Sequence, residues 1–409
     1  MKVPHEIGEL DQKGIVLSLT QPEQRVLRRV ADRLGAQWQP EGTVRIYSKG
    51  NVGSVALSPK TVISVTTKVP VANLLGLASL AYRTLRIPPA VGETLLDSVE
   101  PVLDWLAVLL ITEIENLMAF GMRQGYVVVE DELPYVRGRL RFDSRSAWTR
   151  PGLVSCEFAD FLPDTPENQV LRFTLDALAS RRLLRGLRVR AEGLLRSFDR
   201  VTLVQPSLRQ LDACQGRVMR LNQHYAPAFK LCRLLLEGSG IEAENGAVPA
   251  PAYFFPLPGV FQEAVANLLK ARLPNVFAQT PSRHQPIAGS PPLSMSYKPD
   301  VVVGAPPQLV VDTKYSKPLE RDRRWLDNGP VGRWAYKNEH IYQVAFYGLS
   351  LSCPALLVYP RDEQDVDATF DIKGVRVSLV TVDLREPGLV SLERLVERVT
   401  ALAGLPVAA

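Results

Sequence analysis

Two aspartates and a lysine carry the clearest chemical content of the chain. They sit in SYKPDVVVGAPPQLVVDTKYS, residues 296–316, where apolar runs Val301–Val303 and Leu309–Val311 flank Gly304-Ala305-Pro306-Pro307. That composition predicts a hairpin. With the turn centred on Pro306, each residue pairs with the one equally far on the other side, so Asp300 falls opposite Asp312. Residues directly opposite in an antiparallel pair have Cβ atoms about 4.5–5.5 Å apart. Lys314 lies two positions beyond Asp312 and points to the same face. Two carboxylates and one ammonium therefore converge on strands otherwise built from Val and Leu.

The grouping suits metal-assisted phosphodiester hydrolysis. Mg²⁺ prefers oxygen ligands and keeps several waters, so one or two carboxylates suffice. A bound metal polarises the phosphoryl oxygen and lowers the pKa of a bound water. Paired carboxylates repel each other unless a metal or a cation such as Lys314 relieves them. A helix before the hairpin carries Glu263 in VFQEAVANLL, a candidate auxiliary metal ligand. A helix after it carries Gln343 in HIYQVAFYG, a candidate for positioning water or phosphate. The alternative is structural: an Asp312–Lys314 ion pair at a solvated hairpin rim, with Glu263 and Gln343 as ordinary helix-surface groups.

The elements that must hold these residues belong to an α+β multidomain chain. Residues 1–92 read as a small α/β region, with a helix over 21–35 stopped by Gly35 and strands at Thr43–Tyr47, Val52–Ser58 and Thr61–Val69. Residues 93–245 read as mainly helical. An amphipathic helix over 93–125 ends at Gly125, and strand-like runs follow at Val127–Glu130 and Arg139–Phe142. Helices resume after Thr165, an N-cap followed by Pro166 at the first helical position, and continue at 187–198 and 217–237. The Gly-, Ala- and Pro-rich stretch near 238–258 reads as a boundary loop. Residues 246–409 then alternate: helix 259–272, strands 294–303 and 308–315, helix 335–350, strands 354–359 and 375–383, helix 390–403. Such alternation predicts an α/β domain.

Composition narrows the class. At 409 residues the chain has room for two or three domains. Hydrophobic residues at 46% and charged residues at 22% exclude a disordered chain. The net charge of +5 permits a polyanionic partner without demanding one. Cys156, Cys214, Cys232 and Cys353 are scattered, as are the four histidines, so neither a zinc site nor a disulfide framework is expected. The cysteines read as buried apolar groups in a reducing cytoplasm. The N-terminus lacks a signal-peptide h-region. The apolar stretches 71–82 and 101–120 are too short for a span or interrupted by Asp104 and Glu113, so no membrane association is expected. The chain has no GxxxxGK[ST], and KGNVGS at 49–54 reads as a turn, so a P-loop nucleotidase is excluded. The Arg-rich run 181–196 reads as a solvated helix face or a phosphate track.

Residues 50–360 resemble McrC, the nuclease subunit of the McrBC modification-dependent (5-methylcytosine) restriction systems. RQGYVVVEDELPYVRGRLRF looks like the segment joining its N-terminal and nuclease portions. FADFLPDTPENQVLRFTL looks like its DTPxN helix start, and MRLNQHYAPAFKLCRLLLEG like its helix with an N-x-x-Y pattern. The resemblance implies a cytoplasmic defence protein with a C-terminal PD-(D/E)xK (restriction-endonuclease-like) domain. It implies a Mg²⁺ cofactor, with Asp300, Asp312 and Lys314 as the nuclease triad and Glu263 and Gln343 in support. It implies docking through the N-terminal part on an McrB-like AAA+ ring that binds and hydrolyses GTP, stimulation of that hydrolysis, and cutting of modified double-stranded DNA. The loops around Trp38–Gly53, with Arg45 and Lys49, are where ring contacts are expected. Two competing readings remain: a non-cleaving adaptor that activates the ring, and a stand-alone nuclease.

Overall fold

The computed structural model describes residues 5–82, 101–141, 152–181, 183–216, 220–239, 252–284, 295–321 and 334–406. The chain forms two compact units, one from residues 1–93 with 250–409 and one from 94–249. The first opens with β1 (His5–Gly8), β2 (Ile15–Ser18), α1 (Gln21–Arg29), β3 (Leu34–Trp38), β4 (Thr43–Ser48), β5 (Asn51–Ala56), β6 (Val62–Thr66) and α2 (Val71–Tyr82). The second contains α3 (Pro101–Phe120), β7 (Gly125–Leu133), β8 (Arg139–Leu140), β9 (Val154–Leu162), α4 (Pro166–Ala179), α5 (Arg185–Leu195), α6 (Leu208–Gly216) and α7 (Ala226–Ser239). The first unit resumes with β10 (Ala252–Pro256), α8 (Leu257–Arg272), β11 (Val276–Ala278), β12 (Ser282–His284), β13 (Met295–Tyr297), β14 (Val301–Val303), β15 (Leu309–Thr313), β16 (Leu319–Arg321) and β17 (Trp334–Tyr336). It ends with α9 (Asn338–Leu351), β18 (Ala355–Pro360), β19 (Asp367–Ile372), β20 (Val375–Val382) and α10 (Val390–Leu402). Among the described residues no helix is long and apolar enough to cross a membrane.

In the first unit, Glu23 sets the start of α1. Its carboxylate accepts from the Thr20 backbone N–H at 2.9 Å and hydroxyl at 2.8 Å, half of a capping box. The helix expected to reach Gly35 stops at Arg29, and Gly35 lies inside β3. The reason is steric: Gly35 pairs with Tyr47, and a Cβ there would meet the Tyr47 ring at 2.1 Å. This glycine makes room for a ring across the sheet rather than ending a helix. The small sheets β2-β4-β3 and β1-β6-β5-β10 enclose a core that includes Leu27, Ile46, Ile63, Val65 and Phe254. The expected boundary loop near 238–258 is strand at its end, since β10 pairs antiparallel with β5; residues 240–251 of it lie outside the described residues. Segments far apart in the chain are joined here. The Asn73 amide donates to the carbonyls of Leu384 (2.7 Å) and Glu386 (2.8 Å), and the Asn267 amide to those of Leu80 (3.1 Å) and Ala81 (2.7 Å).

In the second unit, α3 is buried almost all round, including Asp104 and Glu113, rather than amphipathic as expected. It stops at Gly121, which takes φ +97°, and Gly125 instead begins β7. Residues 93–100 of the expected helix lie outside the described residues. Thr165 caps α4 by accepting from Asn168 N, with Pro166 at the first position as expected. The region is less helical than its sequence suggests: β7, β9 and β8 form a three-stranded antiparallel sheet, and β9 was not anticipated. The helix expected over 217–237 is broken by a 3₁₀ turn at Arg220–Tyr225, kinked at Asn222, before α7 begins.

The sheet that positions the candidate site has the order β11-β14-β15-β18-β20-β19. Its central strands β15, β18 and β20 run parallel and are almost wholly buried, which accounts for their near-continuous Val and Leu. Val344, Tyr347, Leu357, Val377 and Leu379 join α9 to this sheet in one core. The strand expected over 294–303 is split, leaving residues 298–300 outside the strands.

Candidate active site

The hairpin has the register expected for a turn centred on Pro306: Val301 pairs with Val311, Val302 with Val310 and Val303 with Leu309. Gly304, at φ +92°, makes the turn possible, because a Cβ there would lie 2.7 Å from the Pro306 carbonyl oxygen. Continuing the register by one residue places Asp300 opposite Asp312. Asp300 lies just before β14, where its carbonyl accepts from Gln279 N at 2.9 Å. Asp312 lies on β15, whose five residues are all buried, and is 1% exposed.

The two carboxylates differ in surroundings. Asp300 Oδ2 accepts from the Thr313 backbone N–H and hydroxyl, each at 2.8 Å, and its Oδ1 accepts from the Gln262 side-chain amide. Asp312 Oδ2 lies 2.8 Å from Lys314 Nζ in a close ion pair, and among the described residues no donor meets it with hydrogen-bond geometry. Burial pushes the Asp312 carboxyl up, the Asp300 charge adds to the rise, and Lys314 offsets part of it, leaving it at about 6. Two neighbouring carboxylates, one of them buried, share a single ammonium, which leaves negative charge that a further cation would offset.

Beyond the hairpin, the parallel pairing of Thr313 with Val358 sets Lys314 beside Tyr359. The fully buried Tyr359 hydroxyl lies 3.0 Å from His340 Nδ1 on α9. Burial, then the Lys314 and Lys337 charges, push His340 down to about 4, so its imidazole is neutral at pH 7. Burial and then the Asp312 charge push the Tyr359 phenol up. The Lys314 side thus holds a neutral imidazole and a neutral phenol, neither of which competes with the lysine for negative charge.

The remaining sequence candidates fall differently. Gln262, not Glu263, reaches Asp300. Adjacent helix positions are turned by about 100°, so the two cannot face the hairpin together, and Glu263 stays half-buried on α8. No group of three or more His, Cys, Asp or Glu side chains that could hold a metal forms among the described residues. The candidate ligand set is therefore the two aspartates, which suits an ion that keeps most of its waters. Gln343 Nε2 donates to the Tyr347 hydroxyl at 2.7 Å, one helical turn away. Gln262, Thr313, His340 and Tyr359 were not singled out from the sequence. The only signal for His340 was its spacing of three from Gln343, which puts both on one helix face.

The sequence segments behind the family resemblance have a structural explanation too. Asn168, fully buried on α4, donates its amide to the carbonyls of Arg123 (2.8 Å) and Pro163 (2.7 Å) and accepts from the Tyr225 hydroxyl at 2.7 Å. Burial raises the Tyr225 phenol to about 12, so it remains a donor. Asn168 belongs to DTPEN and Tyr225 to N-x-x-Y, so the two patterns meet in one buried network rather than in a catalytic centre.

The chain matches the family model described as McrBC 5-methylcytosine restriction system component over residues 46–360. It belongs to that family. The match takes in the whole Asp300–Lys314 hairpin, α9 and the Asn168–Tyr225 network of this McrBC-family chain. Among solved structures it is similar to a chain of the refined half-complex from a tetradecameric assembly of Thermococcus gammatolerans McrB AAA+ hexamers with bound McrC. The identity is 16% and the TM-score 0.52, over 89% of this chain and 85% of that one. That likeness shows a shared fold. A looser match, at 15% identity and TM-score 0.41, is to the cryo-EM structure of the Thermococcus gammatolerans McrBC complex, over 66% of this chain and 87% of that one. No curated protein matches the chain.

Proposed function

We propose that this McrBC-family chain is the DNA-cleaving subunit of a cytoplasmic, modification-dependent restriction complex. In this reading it is a Mg²⁺-dependent endonuclease whose site lies on a PD-(D/E)xK-type domain within residues 246–409. The observation that carries the reading is the convergence of Asp300, Asp312 and Lys314, with one buried carboxylate oxygen left without a directed donor.

Asp300 and Asp312 would hold the metal. When bound, Mg²⁺ supplies Lewis-acid polarisation of the phosphate and a more acidic water. The protein groups have separable tasks. Thr313 and Gln262 fix the rotamer of Asp300 by three hydrogen bonds. Lys314 neutralises part of the paired negative charge and is placed to orient the attacking water or the scissile phosphate. Tyr359 and His340 form a neutral wall beside Lys314. Gln343, held by Tyr347, would position water or phosphate after a change of rotamer. Glu263 would join as a ligand only if α8 turned.

The chain has no phosphate-binding P-loop, so nucleotide hydrolysis falls to another chain. The solved structure of McrB AAA+ hexamers with bound McrC supports an McrB-like AAA+ ring as that partner; in this reading the ring hydrolyses GTP and the substrate is modified double-stranded DNA. A ring-activating adaptor role is favoured by the second unit. Its β7–β9 ribbon exposes Tyr126, Val128 and Phe161 on one face, with the Tyr126 and Phe161 rings 5.3 Å apart. An apolar face of this kind suits a protein partner, and the two roles are compatible.

The test is to combine the chain with its AAA+ partner, GTP, Mg²⁺ and methylated plasmid, following cleavage and GTP turnover in parallel. Asp312→Ala is expected to abolish cutting while leaving stimulation of GTP turnover intact. Cutting retained by that variant would contradict the site. Stimulated turnover without cutting by wild type would favour the adaptor.

A further inference from the structure

At the same sheet end as Lys314, beyond the candidate catalytic groups, four cations gather: Lys68, Lys317, Arg361 and Arg385. Arg361 follows directly on β18 and continues its ladder, donating N–H to the Val382 carbonyl at 2.8 Å. It lies two residues beyond Tyr359, the neighbour of Lys314, just past the end of β18. One strand spacing and two residue rises put its Cα about 8 Å from that of Lys314.

Arg361 is also incompletely paired. Its Nη1 lies 3.5 Å from Asp383 Oδ2, but both oxygens of Asp383 are already taken by the Arg385 guanidinium, at 2.8 and 3.0 Å. Arg361 Nε is buried and has no hydrogen-bond partner among the described residues. Asp362, the other nearby acid, is occupied by Lys317 at 2.5 Å and Lys68 at 3.9 Å. A cleft opens here, lined in part by Glu9, Lys68, Tyr315, Arg361, Asp362 and Arg385. Burial pushes the Glu9 carboxyl up. With Lys317 beside the cleft, four cations face the three carboxylates Glu9, Asp362 and Asp383, and one guanidinium holds spare donors. A planar guanidinium with free N–H groups is the side chain best matched to a phosphodiester oxygen.

We propose that Arg361, backed by Lys68, Lys317 and Arg385, binds a backbone phosphate of duplex DNA next to the one held at Asp300, Asp312 and Lys314. The contact is sequence-independent: it grips the strand and sets its register in the site. It rests on the nuclease reading for the identity of the anion, but its test does not require cleavage.

The test is equilibrium binding of the full-length chain to a short fluorescent duplex, in Ca²⁺ to prevent turnover, over a series of salt concentrations. Arg361→Gln is expected to weaken binding about tenfold at low salt and to reduce the slope of log K against log salt by about 1. Arg361→Lys should restore the slope but only part of the affinity. Lys373→Gln removes one charge at an exposed turn and should change neither. Melting temperatures of all variants check that the fold is kept. Wild-type affinity and slope in Arg361→Gln, or no duplex binding by wild type at low salt, would overturn the phosphate contact even if the complex cuts DNA. An Arg361-dependent slope in a chain that never cuts would uphold the contact and count against the nuclease reading.

Discussion

At the scale of single residues, Asp312 carries its charge at a cost to stability. Its folded carboxyl titrates near 6, above its ordinary 3.8, chiefly because it is buried. A raised carboxylate pKa means that the unfolded chain ionises more readily, so this residue destabilises the fold as pH rises from about 4 through 6. Asp312→Asn removes the charge and leaves Lys314, a partly exposed cation, to solvent. In the absence of metal, Asp312→Asn is therefore expected to raise the melting temperature at pH 7.5 and to make little difference at pH 4. Thermal melts at the two pH values check this; a variant less stable than wild type at pH 7.5 would identify the Asp312–Lys314 pair as structural. The positions of both aspartates were legible in the sequence, because two Val-rich runs about a Gly-Ala-Pro-Pro turn leave one reasonable register. Gln262 was not, because nothing in one sequence says which face of α8 meets the hairpin.

Among the elements, the second unit depends on one buried amide. Asn168 joins the chain just after α3, the turn before α4 and the residue leading into α7, using both its donors and its acceptor. Asn168→Ala would leave the Arg123 carbonyl without its amide donor and the Tyr225 O–H without its acceptor, while the Pro163 carbonyl keeps Thr165 N–H and the Tyr225 oxygen keeps Arg123 N–H. Each buried orphan costs about 1–3 kcal/mol, so the variant is expected to lose about 2 kcal/mol or more, seen as a lower urea midpoint. A loss below about 1 kcal/mol would mean that water replaces the amide. Helices with clear caps, such as α4, were readable from Thr165 and Pro166. The strands β8, β9 and β19 were less so or not at all, because their pairing partners, rather than their own residues, define them. Gly35 shows the same limit: a glycine that looks like a helix stop serves a ring across the sheet.

On the scale of the whole molecule, the start of the chain belongs with its end. β10 completes a sheet with β5, and the Asn73 and Asn267 amides tie α2 to the C-terminal segment. A fragment beginning at residue 246 would expose Phe254, Phe255 and the α8 face that packs on α2. It is expected to lack a cooperative melt, whereas a chain with 94–249 replaced by a short flexible linker should keep one. A cooperatively folded 246–409 fragment would contradict this. Alternation of helix and strand made the C-terminal α/β character readable. The partnership with residues 1–93 was not, since contacts so distant in sequence leave no local pattern.

The central claim is that Asp300 and Asp312 are paired for a divalent cation. Its most direct measurement is titration of Mn²⁺, as a paramagnetic stand-in for Mg²⁺, into the full-length chain without partner or DNA, with bound ion followed by electron paramagnetic resonance. The account predicts saturable binding by wild type, strong weakening in Asp312→Asn and Asp300→Asn, and unchanged binding in Glu263→Gln. Equal Mn²⁺ binding by wild type and both aspartate variants would contradict it.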